Sequence, residues 1–514
     1  MSSEVSTDCL VIGAGPAGLQ ASALLKQAGR DHLVLESGAA AGTFFTRFPR
    51  HRMLISINKV HTGWDDPELN LRTDWNSLLT DDPDLLFTAY TPRYFPGADD
   101  MVRYLGDFAV KNDLPIRYDT TVVSVTRPDD FVVHDQHGGT YRAKRLIVAT
   151  GVSKQYVPDI EGVEHAEPYY DVSVDPADFT GKKVLIIGRG NSAFETADNL
   201  VETAAVIHVA GPGSLKLAWQ THFVGHLRAV NNNFLDTYQL KSQNAVLDGH
   251  IAGIRRDGDD YWVKVSFQRV NEVVKEIRYD RVILATGFRF DASIFAPECR
   301  PQLTIKDRFP DQTAAWESVN VPDLFFAGTI TQARDFKKST SGFIHGFRYG
   351  VRALHRIIEH RYHGVDWPSR EIAADGVTDA IIERVNRTSA LWQLFAFMSD
   401  VVLFGADGTV RYVEEVPVAH LHEAVARGEF GDVESYLVVT LEYGADHDKV
   451  NPFDISAGRT SQDDTSGLDG RYLHPVVRRF RAGELVDEHH LTENLENEWD
   501  SETVHRAPLR EYLR

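Results

Sequence analysis

The sequence predicts an α/β fold: two Rossmann-like dinucleotide-binding domains, the first interrupted by the second, then a C-terminal α+β or β-rich appendage. Three observations predict it. Two glycine-rich turns, Gly13-Ala14-Gly15-Pro16-Ala17-Gly18 and Gly188-Arg189-Gly190-Asn191-Ser192-Ala193, each follow a short apolar strand and open a helix. Two near-copies of one closing strand, Arg145 to Gly151 and Asp280 to Phe288, bracket the second turn, both ending in Ala-Thr-Gly. After Trp367-Pro368 the pattern changes to strand-like runs such as Val410 to Val418, Ser435 to Tyr443 and Arg471 to Phe480.

In the first unit, Cys9 to Ile12 is the strand and the stretch to Ala28 has helical apolar spacing. His32 to Leu35 is a second strand, ending at the acidic Glu36. Gly13 permits the tight turn, Gly15 admits a pyrophosphate, and Gly18 lets helix and strand pack closely, with Ala17 between them. The helix N-terminus offers free N–H groups and a positive dipole end to phosphate. Glu36 is placed to accept from a ribose. Gly42-Thr43 reads as a further phosphate-neighbouring turn, with Phe44, Arg47 and Val123 as additional cofactor contacts. The strand Leu146 to Val148, ending at Thr150 and Gly151, joins this fold from later in the chain. That arrangement is expected of an FAD domain.

In the second unit, Lys183 to Ile187 is the strand, and Gly188, Gly190, Asn191 and Ser192 are the coenzyme contacts, with Ala193 in place of the third glycine. Val206 to Val209 is the next strand. Ala210 to Gly213 contains no Arg to receive a 2′-phosphate and Lys216 is the substitute at hand, so the coenzyme is NADPH or NADH. The closing strand contributes Thr286. The expected division is residues 1–157 and 281–365 for the FAD-binding domain, 158–280 for the NAD(P)-binding domain and 366–514 for the appendage. Leu324 to Gly328 reads as a buried strand ending in glycine. Ser341, Gly342 and Phe343 lead into a helix running towards Glu359, whose N-terminus is expected at the pyrimidine end of the flavin. His345, at that helix start, is a candidate proton carrier because imidazole titrates near neutral pH. Lys216 to Asn244 reads as a solvated helix pair or as a helix closing over the nicotinamide. Ile372 to Met398 reads as mainly helical, and Asp454 to Gly470 as a loop.

Composition narrows the function further. Hydrophobic residues at 43% and charged residues at 25% suit a globular chain of about three domains. With 74 acidic against 54 basic residues the net charge is −20, which argues against nucleic-acid binding. The two cysteines, Cys9 and Cys299, form no C-x-x-C pair, so a dithiol reductase is excluded. His420 with His422, Asp446 to Asp448, and His489 with His490 lack metal-site spacing, and no metal is expected. The polar N-terminus, the Glu511-Tyr512-Leu513-Arg514 ending and the absence of a long apolar run predict a cytoplasmic chain without membrane contact.

With both fingerprints, the insertion and the Ala-Thr-Gly-Phe closure, the chain resembles the class B flavoprotein monooxygenases, which include flavin-containing monooxygenases, N-hydroxylases and Baeyer–Villiger enzymes. A closer likeness, to an FAD-dependent oxidoreductase family whose named member carries secretion and retention signals, covers most of residues 8 to 365. It rests on Phe48 to Arg52, Leu54 to Lys59, Asp74 to Leu79, Gly188 to Thr196 and Gly342 to Arg348. The resemblance implies FAD, NADPH or NADH, dioxygen and a small nucleophilic substrate (an amine, heterocycle or sulfide) that takes one oxygen from a flavin C4a-hydroperoxide. It places Asn58 as a donor towards that adduct; separately, Trp75 and Asn76 follow a charged loop and read as lining the flavin face, with plain core as the alternative for Trp75. The class motif F-x-G-x-x-x-H is altered to Ile160-Glu161-Gly162-Val163-Glu164-His165, and Thr329 replaces the usual acid. An NAD(P)H oxidase or electron-transfer flavoprotein and a client-binding redox accessory stand as the alternatives. The appendage is expected to shape a substrate entrance or a homodimer contact.

Overall fold

The computed structural model describes residues 4–268, 273–445, 447–461 and 463–514. Its first sheet runs, edge to edge, Ile116–Arg117, His32–Leu35, Glu4–Ile12, Thr140–Val148, Phe131–Asp135 and Val122–Thr126. Leu324–Phe326 also pairs in parallel with Thr140–Val148, so chain from beyond residue 300 returns to this sheet. Cys9 to Ile12 and Leu146 to Val148 are buried apolar runs, as parallel strands become when elements cover both faces. The helix Pro16–Gln27 starts with proline at its first turn, where a missing N–H costs nothing.

The chain leaves this sheet after Val148 and builds a second, ordered Val274–Tyr279, Asp260–Phe267, Ala245–Asp257, Val206–Gly211, Lys183–Ile187, Arg281–Leu284 and Glu167–Pro168. The pairings from Ala245–Asp257 through Val206–Gly211 and onward to Glu167–Pro168 are parallel, while Asp260–Phe267 and Val274–Tyr279 add an antiparallel arm. Arg281–Leu284 pairs with Lys183–Ile187, so the return to the first unit comes after Leu284 and not at residue 281. The repeated closing strands therefore close different sheets, one each. The two crossings touch each other, Phe288–Arg289 lying antiparallel to Lys154–Gln155 as a two-stranded linker.

The appendage is α+β. Its six-stranded antiparallel sheet runs Ser369–Glu371, Val410–Pro417, Met398–Gly405, Val433–Glu442, His474–Arg481 and Glu484–His490, with helices Val377–Arg387 and Val418–Ala426. Residues 372–398 are less helical than expected, with Val377–Arg387 and Ala390–Gln393 followed directly by a strand. Leu354 and Ile357 of the helix Ile344–His363 share one apolar core with Val401, Tyr412 and Val413. Buried charges reinforce the junction. Arg384 meets Asp400 at 3.0 Å and Glu68 at 2.8 Å, and Arg352 pairs with the buried Glu415.

Candidate functional site

The two glycine turns are built alike. A β-carbon on Gly13 would lie 2.8 Å from the Ala149 carbonyl oxygen, and one on Gly188 would lie 2.1 Å from that of Ala285. Both glycines have positive φ, +103° and +141°. Each turn is thus pressed against the Ala-Thr-Gly closure of its own sheet. On Gly18 a β-carbon would approach the Gly13 carbonyl oxygen to 1.9 Å. Gly15 and Gly190 differ: nothing lies within 4 Å of their notional β-carbons. Open space sits where a phosphate must approach the helix start, which fits a dinucleotide at both turns. Gly151 and Gly287, with Thr150 and Thr286 before them, border the turns at positive φ, and Thr286 is anchored on the Tyr156 carbonyl. Gly328, far off in sequence, packs on the first turn, its notional β-carbon 2.6 Å from that of Ala17.

Around the first turn, Glu36 is buried and braces the loop, accepting from Ala14 N at 2.7 Å and Gly38 N at 2.8 Å. Gly42 N donates to Ala14 O at 2.9 Å, and Thr43 Oγ1 to Ala40 O at 2.8 Å. Val123 sits at a shift of register between Val122 and Ser124, an irregularity that frees backbone groups on an otherwise paired strand. Phe44 is exposed and stacks on Phe48 at 5.0 Å. Arg47 is corrected as a cofactor contact. Its guanidinium reaches the Tyr170 carbonyl at 2.8 Å and the Asp171 carboxylate at 2.6 Å, tying the first domain to the second.

The residues expected at the flavin face come together from three parts of the chain. The indole of Trp75 stacks on His345 at 4.3 Å with 18° between planes, and Phe343 lies 5.9 Å beyond His345 at 17°. Arg348, wholly buried, donates to the carbonyls of Asp74 at 3.0 Å, Ser77 at 2.9 Å and Leu71 at 2.7 Å, which holds the 71–77 loop on the helix Ile344–His363. Asn76 Nδ2 donates to Ile57 O at 3.1 Å. Gly342 is hemmed by Gln332, whose Nε2 would sit 2.7 Å from its notional β-carbon.

Two expected roles change. Asn58 spends both Nδ2 hydrogens within the protein, on Thr91 O at 2.8 Å and Arg93 O at 3.3 Å, while its buried Oδ1 has no partner. Reversing the amide would aim Oδ1 at two carbonyl oxygens, so the orientation follows from the network. Asn58 therefore offers an acceptor and not the donor the resemblance implied. His345 is buried, and neither ring nitrogen has a partner. Burial, followed by the charges of Arg348 and Arg228, holds its pKa well below the usual imidazole value, so it is neutral near pH 7 and no proton carrier there.

Sequence reasoning missed the groups that join the domains. Residues 216–244 hold only short helices, Ala218–Thr221, Ala229–Asn231 and Asn233–Gln239, and bury Phe223 and Leu227. Asn191 Nδ2 donates to His226 O at 2.9 Å and its Oδ1 accepts from Arg228 N at 3.0 Å. That sets Arg228 over the Trp75 ring at 5.4 Å, with its Nη1 on Ile55 O at 3.0 Å. Only the density of Trp, His and Asn in this stretch signalled it. On the other flank, burial raises the Glu195 carboxyl to about 7, beside Tyr169 and the His51 loop. Ser192 O accepts from Thr196 Oγ1 at 2.8 Å in the same helix.

The histidine clusters considered for metal serve elsewhere. His420 faces Glu429 at 3.4 Å, His422 meets Tyr436 OH at 2.9 Å, and His490 Nδ1 lies 2.9 Å from His474 Nε2. Among the described residues no group of three His, Cys, Asp or Glu could hold a metal ion, and Asp446 lies outside them. No helix among the described residues is long and apolar enough to cross a membrane.

Residues 10–328 match the family described as pyridine nucleotide-disulphide oxidoreductase. FAD-dependent oxidoreductase domain-containing protein 2 of Mus musculus is 39% identical, aligned over 98% of this chain and 83% of its own length. The likeness that Phe48 to Arg52, Asp74 to Leu79 and Gly342 to Arg348 carry is thus to this relative. Indole-3-pyruvate monooxygenase YUCCA6 of Arabidopsis thaliana is 25% identical over 60% of this chain and 82% of its own. Among solved structures, the flavin-containing monooxygenase from Stenotrophomonas maltophilia superposes with a TM-score of 0.54 at 19% identity, covering 69% of this chain and 98% of that one. That last likeness shows the shared two-domain fold.

Proposed function

The chain belongs to the pyridine nucleotide-disulphide oxidoreductase family and is an FAD-dependent oxidoreductase; from that premise we propose an NAD(P)H-consuming monooxygenase acting on a small molecule. Gly13, Gly15 and Gly18 with the helix Pro16–Gln27 would hold the FAD pyrophosphate, and Glu36 Oε2, which accepts from Ala14 N, keeps a second lone pair for a ribose hydroxyl, while Oε1 already accepts from Gly38 N and Ser37 Oγ. Gly188, Gly190 and Asn191 would hold the coenzyme. Bound FAD supplies redox chemistry that the side chains lack: electrons from the nicotinamide, passed to dioxygen.

What the protein adds is enclosure. The observation that carries this reading is the stack Arg228–Trp75–His345–Phe343, which spans both domains. Its neutral imidazole and apolar rings exclude water where an oxygen-transferring flavin would otherwise be wasted as peroxide. The relatives named as monooxygenases, YUCCA6 and the Stenotrophomonas maltophilia enzyme, support it. A dithiol route is disfavoured, because Cys9 and Cys299 are both buried and lie in separate parts of the first domain.

The test is turnover under labelled dioxygen across candidate amines, heterocycles, sulfides and 2-oxo acids, with products read by mass spectrometry. One labelled oxygen per coenzyme oxidised is expected in product. Coenzyme oxidation that yields only hydrogen peroxide with every substrate would favour the NAD(P)H oxidase instead.

A further inference from the structure

Four cationic or basic groups gather where the 216–228 segment of the second domain meets the 308–338 part of the first. Arg308 and Lys337 both lie over Phe336, at 6.0 and 5.1 Å from its centroid, and Arg308 also lies over Phe309 at 5.3 Å. Leu227 N donates to Lys216 O at 3.0 Å, which sets Lys216 beside His226. The groups feel one another. Burial, then Lys337 and Lys216, push the His226 imidazole down to about 4, and burial, then Arg308 and Lys216, lower Lys337.

Among the described residues, no carboxylate is one of the charges acting on Lys337 or His226. The charges acting on Lys337 and His226 are all positive, and burial alone lowers Arg308. Asp335, two residues before Lys337, is buried and accepts from Ser339 N at 2.8 Å instead. In a chain of net charge −20, uncompensated like charges within reach of one another are the anomaly. Each close pair costs free energy that an anion between them would reverse in sign. Two buried nitrogens of these groups, His226 Nε2 and Arg308 Nε, have no hydrogen-bond partner.

Aromatic contacts connect these groups to the Trp75–His345 stack. His226 contacts Phe223 at 5.0 Å, Phe223 contacts Phe343 at 5.9 Å, and Phe343 reaches His345 and so Trp75. We propose that Lys216, Arg308, Lys337 and His226 form a receptor for the oxyanion group of an aromatic substrate, whose ring lies along Phe223 and Phe343. The substrate class is thereby an aromatic organic acid, in place of the neutral or cationic amine implied by the resemblance. This rests on the proposed small-molecule oxygenation for calling the ligand a substrate; the cationic cluster stands independently of it.

Binding can be measured without turnover, so a failure of oxygen insertion leaves the test intact. The oxidised, FAD-loaded full chain is titrated calorimetrically with phenylpyruvate, phenyl phosphate and the neutral phenylacetone. The wild type is compared with Lys216→Gln/Lys337→Gln, both exposed positions that leave the fold alone, and with Lys111→Gln as a control for overall charge. At least one anion should bind about tenfold or more tighter than phenylacetone, with that margin lost in the double variant and kept in the control. Equal affinity for charged and neutral probes, or no binding of either anion, overturns the proposal. So does a double variant that loses NADPH relative to NADH while keeping the organic anion, since the cluster would then serve the coenzyme phosphate.

Discussion

The Trp75 indole and the His345 imidazole lie 4.3 Å apart and nearly parallel, in a stack whose buried histidine has no hydrogen-bond partner. Both rings come from segments that the first glycine turn does not touch, yet together they form one wall of the candidate site. Because burial and two arginines keep His345 neutral, its ionisation should leave no mark between about pH 6 and 8. The pH profile of flavin reduction by coenzyme in His345→Phe should therefore keep the wild-type shape. A neutral-pH inflection present in wild type and lost in the variant would show that His345 titrates.

The glycine turns separate two kinds of constraint. Gly18→Ala places a β-carbon against the Gly13 carbonyl, so it should destabilise the fold by about 3 kcal/mol or more. Gly15→Ala meets nothing within 4 Å, so the apoprotein should unfold as wild type does while FAD content falls by about tenfold or more. Thermal melts of the stripped protein, with flavin absorbance after purification, distinguish the two.

Glu195 should make stability depend on pH. Its folded pKa, about 7, lies above the ordinary value of 4.5, so its contribution is fully present below about pH 4.5. It is lost as pH rises through 7, since the unfolded chain ionises first. After allowance for partial exposure the loss is about 1–2 kcal/mol between about pH 5 and 8. Glu195→Gln should flatten that part of the curve in urea denaturation, and an unchanged slope would contradict it.

Much of this was legible in the sequence where the signal is local. The turns at 13–18 and 188–193 and the two Ala-Thr-Gly closures each lie within a short stretch, and their residue types follow from contacts with the backbone. The rest depends on partners far along the chain. Nothing near Arg47 shows that it pairs with Asp171, and the direction of the Asn58 amide is decided by carbonyls at Thr91 and Arg93. The strand Met398–Gly405, which begins where the apolar run read as helical ends, is not announced, because burial on both faces removes its alternation. Glu484–His490 is an exposed, charged edge strand with no apolar periodicity to announce it.

The appendage should influence the flavin site through Gln393. Its carbonyl accepts from Thr340 Oγ1 at 2.7 Å, and its Nε2 donates to Arg72 O at 2.7 Å, the carbonyl that also receives Trp75 Nε1 at 3.2 Å. Gln393→Leu should cost about 1–3 kcal/mol and shift Trp75 emission and the visible flavin spectrum together. A stability loss with both spectra unchanged would confine Gln393 to the appendage.

Anaerobic mixing of the FAD-loaded protein with stoichiometric NADPH or NADH tests the central claim most directly, that two cradles hold two nucleotides within reach of each other. Flavin absorbance should bleach in the wild type. In Gly190→Ala, which fills the open space at the second turn, FAD content should persist while bleaching slows by about tenfold or more. Bleaching at the wild-type rate in Gly190→Ala, or none in the wild type with either coenzyme, would contradict the account.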